Sequence, residues 1–145
     1  MSERAILLVE DDPDDVDLTR RAFARHDVRN PLVVARDGVE ALDHLFRMGS
    51  HAEVEPSLPA LVLLDVKLPR IDGLEVLRRI KADDTMRCVP VVMLTSSREP
   101  RDISSSYRLG ANSYVHKPVD SDEFDNVARS LSHYWLVINQ PPVGA

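Results

Sequence analysis

Five short apolar runs, each closed by polar residues and separated by stretches of helical spacing, leave few architectures open to this 145-residue chain. The runs are Ala5–Val9, Leu32–Ala35, Ala60–Leu64, Pro90–Leu94 and Ser113–His116. Three of them are nearly all apolar, the pattern of strands covered on both faces in a parallel sheet. Helical segments lie near Asp14–His26, Gly38–Met48, Leu74–Ala82, Pro100–Leu109 and Ser121–Leu136. Leu74, Leu77 and Ile80 keep to one helical face, as do Phe124, Val127, Ala128, Leu131 and Trp135. Strand and helix alternating five times predict right-handed crossovers and an α/β fold, an open doubly wound parallel sheet. Ligands of such sheets sit outside the carboxyl ends of the strands. The length supports one compact core, taken as residues 1–138, with 139–145 a short Pro- and Gly-containing tail. Gly49–Pro59 is longer than an ordinary connection.

The residues at the strand ends carry the chemistry. Glu10-Asp11-Asp12 follows the first run, Asp65 the third, Thr95-Ser96-Ser97 the fourth and Lys117-Pro118 the fifth. Carboxylates held together raise one another's pKa unless a cation neutralises them. An all-oxygen set suits Mg²⁺, and the lack of His or Cys partners argues against zinc. Asp12-Pro13-Asp14-Asp15 reads as a helix start, with proline in the first turn beside acids. The acids are therefore divided: Asp12, Asp14 and Asp15 for the helix terminus, Glu10 and Asp11 for a metal. An aspartate can attack phosphorus to give an acyl phosphate. Lys117 is then the fixed cation and Thr95 a hydroxyl donor to the phosphoryl oxygens.

Composition adds exclusions. A net charge of −6 argues against a nucleic-acid surface. A single cysteine, Cys88, excludes an internal disulfide and reads as a small buried apolar residue. With no signal peptide and no run of membrane-spanning length, the expected location is cytoplasmic. His26, His44, His51, His116 and His133 are scattered and read as surface or packing residues.

The ordered set Glu10-Asp11, Asp65, Thr95 and Lys117-Pro118 resembles the receiver domain of two-component response regulators, over roughly Ala5 to Leu136. The resemblance implies a flavodoxin-like sheet in the order 2-1-3-4-5. It implies that Asp65 accepts a phosphoryl group from a phosphohistidine on a sensor histidine kinase. Asp11 and Asp65 would ligate Mg²⁺, Glu10 would act through water, and the Lys67 carbonyl would complete the protein ligands. Thr95 and Lys117 would contact the phosphoryl group, and Tyr114 would turn inward as Thr95 moves. The Lys117–Pro118 bond would be cis. Lys67 and Ser97 occupy the two positions that tune such receivers, and a long basic Lys67 would slow acyl-phosphate hydrolysis.

On this resemblance the chain is a phosphoacceptor signalling protein rather than an enzyme, limited to self-catalysed phosphotransfer and autodephosphorylation. Its length leaves no room for an effector domain, so it would signal through its own surface. The long loop before Asp65, the Leu64–Pro69 wording and the Tyr134-Trp135-Leu136 ending resemble single-domain regulators paired with phytochrome-type histidine kinases, commonly homodimers. The expected dimer face is the fourth helix, fifth strand and fifth helix, extended by the apolar run Tyr134–Ile138. Pro100–Leu109, with weak apolar periodicity and Ser104–Ser106, suits a switch element. Two alternatives stand beside this reading. A Mg²⁺-dependent aspartyl-phosphate hydrolase would need a second aspartate where Lys67 stands. A receiver-like interaction module would signal without phosphorylation.

Overall fold

A computed structural model describes residues 4–50 and 58–142, with only the backbone of 47–50. Most of the long loop before the third strand, His51 included, lies outside the described residues. The strands are β1 (Ile6–Val9), β2 (Leu32–Ala35), β3 (Leu61–Leu64), β4 (Val91–Thr95) and β5 (Ser113–His116). The helices are α1 (Pro13–Arg25), α2 (Gly38–Ser50), α3 (Gly73–Ala82), α4 (Pro100–Arg108) and α5 (Ser121–His133). Every strand pair is parallel, and the sheet order is β2-β1-β3-β4-β5.

Alternation along the strands divides the core between the two faces. Leu7, Val9, Val62, Leu64, Val91 and Met93 pack with Leu42 and Leu45 of α2 and Val76, Leu77 and Ile80 of α3. Ile6, Leu8, Leu61, Leu63 and Val92 face the other way, onto Val16, Ala22 and Phe23 of α1 and Ala128 of α5. The uniformly apolar runs follow directly, since the inner strands have no solvent side.

Helix ends set where the chain re-enters the sheet. Asp12 caps α1, its side chain accepting from the Asp14 amide, ahead of Pro13. The α1 C-terminus closes with Asp27 in the left-handed region (φ 57°), Val28 N–H donating to Phe23 O and Asp27 N–H to Ala24 O. The α4 C-terminus repeats the motif, with Gly110 at φ 104° and Ala111 N–H donating to Ser106 O. Gly73 is required by proximity instead: a Cβ there would lie 1.9 Å from the Asp65 carbonyl oxygen. That packing presses the start of α3 against the strand end bearing Asp65.

Two expectations change in detail. Cys88 is half-buried, not buried, because a short 3-10 turn (Met86–Cys88) holds its Sγ 3.5 Å from Thr85 O at the sheet's rim. The run Tyr134–Ile138 continues α5 as a widened π-type turn. Trp135 and Leu136 pack on the α1/α5 core, whereas Tyr134, Val137 and Ile138 are exposed. Five consecutive apolar residues thus divide between core and surface.

Helices α1 and α5 are joined at one end by Asp125, which accepts from His26 Nε2 at 2.9 Å and Arg25 Nη1 at 2.7 Å. The His26 hydrogen bond, aided by the Arg25 charge, holds the Asp125 carboxyl below the usual carboxylate range. A depressed folded pKa stabilises the fold above the unfolded value and loses that contribution as pH falls through the folded one. Asp125→Ala should therefore lower the thermal midpoint at neutral pH, with the difference from wild type closing as the pH drops below the carboxylate range.

Candidate functional site

Because β1 and β3 are neighbours and β4 and β5 follow in order, their carboxyl ends bring the candidate residues to one rim. Glu10 (3% exposed) and Asp65 (7%) are buried beside solvent-exposed Asp11. Oxygens of these three carboxylates all lie within 4.8 Å of one another. The Glu10 side chain is fixed by the Asp12 amide, which donates to Oε2 at 3.1 Å. An all-oxygen set with one open side matches the ligand preference of a hard divalent cation such as Mg²⁺.

Lys117 enters from β5. Its backbone N–H donates to Thr95 O at 2.7 Å, and its side chain crosses the rim. The ammonium donates to Glu10 Oε1 at 2.6 Å, Asp15 Oδ2 at 2.9 Å and Asp65 Oδ2 at 3.1 Å. Burial alone would pull this ammonium's pKa down, but the hydrogen bonds to Glu10 and Asp15 and the charge of Asp65 hold it above the ordinary lysine value. Burial likewise pushes Glu10 up, to about 7, against the opposing pull of Lys117. The group is an anionic pocket whose one buried cation is shared three ways.

Asp15 stands in the first turn of α1, as the sequence implies, and its carboxylate also lies on Lys117. The third residue of α1 turns back over the strand ends because side chains on a helix lean toward its N-terminus.

Thr95 is 1% exposed, and its Oγ1 accepts from the Ser97 amide at 3.2 Å. Tyr114 is half-buried and donates its hydroxyl to Ser97 O at 2.9 Å. The Lys67 amide lies 3.4 Å from Asp65 Oδ1, but its ammonium is directed elsewhere, 3.8 Å from Asp102 Oδ2. The cis Lys117–Pro118 expectation is not met, since the described residues contain no cis peptide bond. Trans is the intrinsically preferred isomer of an X–Pro bond, by about 0.5–1 kcal/mol.

Asp102 and Lys81 carried no signal in the sequence. Asp102 and Ser106 form the buried stripe of α4, polar where apolar residues are expected. The Lys81 ammonium donates to Arg87 O, Val89 O and Asn112 Oδ1, and Asn112 Oδ1 also accepts from the Val91 amide. These bonds tie α3 to the entry of β4. Of the histidines, His26 meets Asp125, and His116 Nδ1 lies 3.1 Å from Arg98 Nη2.

A five-stranded doubly wound sheet with clustered acids, a hydroxyl and an amine at its carboxyl rim defines a phosphoryl-switch class of domain. The response regulator receiver domain family matches residues 6–129, and the chain belongs to that family. Among curated relatives, the probable methanogenesis regulatory protein FilR2 of Methanothrix harundinacea is 40% identical, covering 94% of this chain and 86% of the relative. Response regulator Rcp1 of Synechocystis sp. is 35% identical, covering 92% and 89%. The structure of phosphorylated RcpA, a cyanobacterial phytochrome response regulator, is 37% identical, with a TM-score of 0.88 over 97% of this chain and 99% of that one. The bacteriophytochrome response regulator AtBRR is 48% identical, with a TM-score of 0.73 over 97% and 100%. Rcp1 has also been solved in a Mn²⁺-bound form, 32% identical, with a TM-score of 0.87 over 97% and 100%. No helix among the described residues is long and apolar enough to cross a membrane.

Removing the shared ammonium would leave Glu10, Asp15 and Asp65 without their cation. Lys117→Ala should cost about 3 kcal/mol of folding stability by urea denaturation in the presence of a chelator.

Proposed function

We propose that this chain is a stand-alone response regulator whose Asp65 accepts a phosphoryl group from a sensor histidine kinase. The observation that carries the reading is the convergence of Glu10, Asp11 and Asp65 within 4.8 Å, with Lys117 Nζ 3.1 Å from Asp65 Oδ2. An Asp65 oxygen attacks the phosphorus of a phosphohistidine, the P–N bond breaks, and the imidazole leaves with the bonding pair and takes up a proton. Mg²⁺ held by Asp11, Asp65 and the Lys67 carbonyl, with Glu10 acting through water, would neutralise charge on the transferring phosphoryl oxygens. An ammonium has three donors, and those of Lys117 are committed to Glu10, Asp15 and Asp65. Formation of the acyl phosphate removes charge from the Asp65 carboxyl, so the new phosphoryl oxygen takes the donor that Asp65 gives up.

Thr95 is the hydroxyl that follows the phosphoryl group. Its movement draws on the Ser97 amide that now rests on its Oγ1, and Ser97 O is the acceptor that holds the Tyr114 hydroxyl. Displacing that link frees Tyr114 to turn inward and reshapes the surface formed by α4, β5 and α5. Residues 1–138 form the receiver domain in this reading, with 139–145 a separate tail. Similarity to RcpA and AtBRR supports a phytochrome-type kinase as the partner.

The test is phosphate-affinity gel mobility after incubation with acetyl phosphate and Mg²⁺. A shifted band is expected for wild type, and none for Asp65→Asn or with chelator. No shift in wild type, together with no binding of beryllofluoride, would leave the site unable to hold a phosphoryl group and overturn the reading.

The same proposal extends to a homodimer through α4, β5, α5 and the C-terminal tail. Exposed Tyr107, Val119, Tyr134, Val137 and Ile138 supply apolar area along that path. Replacing Tyr134 and Ile138 together by serine should shift sedimentation toward monomer.

A further inference from the structure

The side chains flanking two of these strand ends meet on another carboxylate. Asp102 lies in the first turn of α4 with its side chain only 9% exposed. Its Oδ2 accepts a 2.6 Å hydrogen bond from the Ser97 hydroxyl and lies 3.8 Å from Lys67 Nζ. Ser97 stands two residues past Thr95 and donates its amide to Thr95 Oγ1. Lys67 stands two residues past Asp65, its amide 3.4 Å from Asp65 Oδ1. A carboxylate this buried needs charged or hydrogen-bonding partners. Among the described residues, Lys67 is the one cation within 4 Å of it.

We propose that Asp102 is a positioning residue that tethers the Lys67 ammonium away from Asp65 and thereby sets how long a phosphoryl group survives there. The inference rests on the phosphoacceptor reading of Asp65. A compact ammonium on a flexible four-carbon stem pairs with whichever anion in reach is least compensated. The Asp65 carboxylate already shares the Lys117 ammonium, so before phosphorylation Asp102 is the better partner for Lys67. A phosphoryl group on Asp65 adds negative charge within reach of the same stem, and the two anions then compete for one cation. While Asp102 keeps it, the phosphorus stays open to water. Water attacks phosphorus, the P–O bond to Asp65 breaks with its electron pair returning to the carboxylate, and phosphate leaves with the protons of that water. Once released, Lys67 covers the phosphoryl oxygens and hinders that attack. The Ser97 hydroxyl fixes the far end of the tether by orienting Oδ2.

The full chain is labelled with acetyl phosphate and Mg²⁺, freed of the donor, and the loss of label followed on phosphate-affinity gels. Wild type, Asp102→Asn, Lys67→Ala and the double variant are compared. Asparagine keeps an oxygen for the Ser97 hydroxyl and removes only the charge. Asp102→Asn should lengthen the lifetime about threefold, the scale of an ion pair whose lysine is solvent-exposed, and should have no effect in the Lys67→Ala background. That dependence on Lys67 separates a tether from a merely structural role. An unchanged lifetime in Asp102→Asn, or a lengthening that persists without Lys67, would overturn the tether while leaving Asp65 the phosphoacceptor. A wild-type chain that takes no label would remove both together.

Discussion

The shared ammonium of Lys117 is the interaction on which the rest of the rim depends. Glu10 and Asp65 are buried acids that would repel each other. One lysine at 2.6 to 3.1 Å from three carboxylates makes that cluster tolerable in the folded chain. The same arrangement makes it responsive, because an ammonium with every donor engaged cannot bind a new oxygen without giving up an old one. Anything that alters the charge on Asp65 therefore redistributes Lys117.

The sheet supplies the rigidity that this exchange needs. Parallel β1 and β3 are paired through Val9 and Leu64, so the acids that follow them leave the sheet side by side. Gly73 lets α3 press against the Asp65 carbonyl, removing slack where the Asp65 side chain starts. The rim opposite is held more lightly. Thr95, Ser97, Tyr114 and Asp102 are linked through single hydrogen bonds, and α4 buries Asp102 and Ser106 rather than an apolar stripe. A helix seated on hydrogen bonds is easier to shift than one seated on apolar packing, since its contacts can be exchanged one for another. Rigidly placed acids thus stand beside a hydroxyl loop held by fewer and more exchangeable contacts.

Much of this was legible along the chain. The runs place all five strands within a residue of their observed limits, and most plainly the inner β1, β3 and β4, because a strand covered on both faces must be largely apolar. Glu10, Asp11, Asp65 and Lys117 were marked by their positions at strand ends and do converge. Asp15 stands in the first turn of α1 as its place after Pro13 implies, but its second role, on Lys117, is not legible there because the helix dipole already explains an acid at that position. Asp102 carries no such mark, because an acid near a helix start resembles solvent-facing capping. Its burial becomes visible only when Ser97 and Lys67, five and thirty-five residues earlier, are brought beside it.

The division has a physical cause. Periodicity and strand-end chemistry are local properties, written in consecutive residues, and they determined the fold class, the element order and the acids that gather at one rim. Which cation meets which carboxylate is decided by side chains as much as 107 positions apart, as in Lys117 and Glu10. Only the tertiary structure could bring Asp15 onto Lys117 and carry Lys67 away from Asp65 to Asp102, because those choices depend on burial and on competing charges that no stretch of sequence contains.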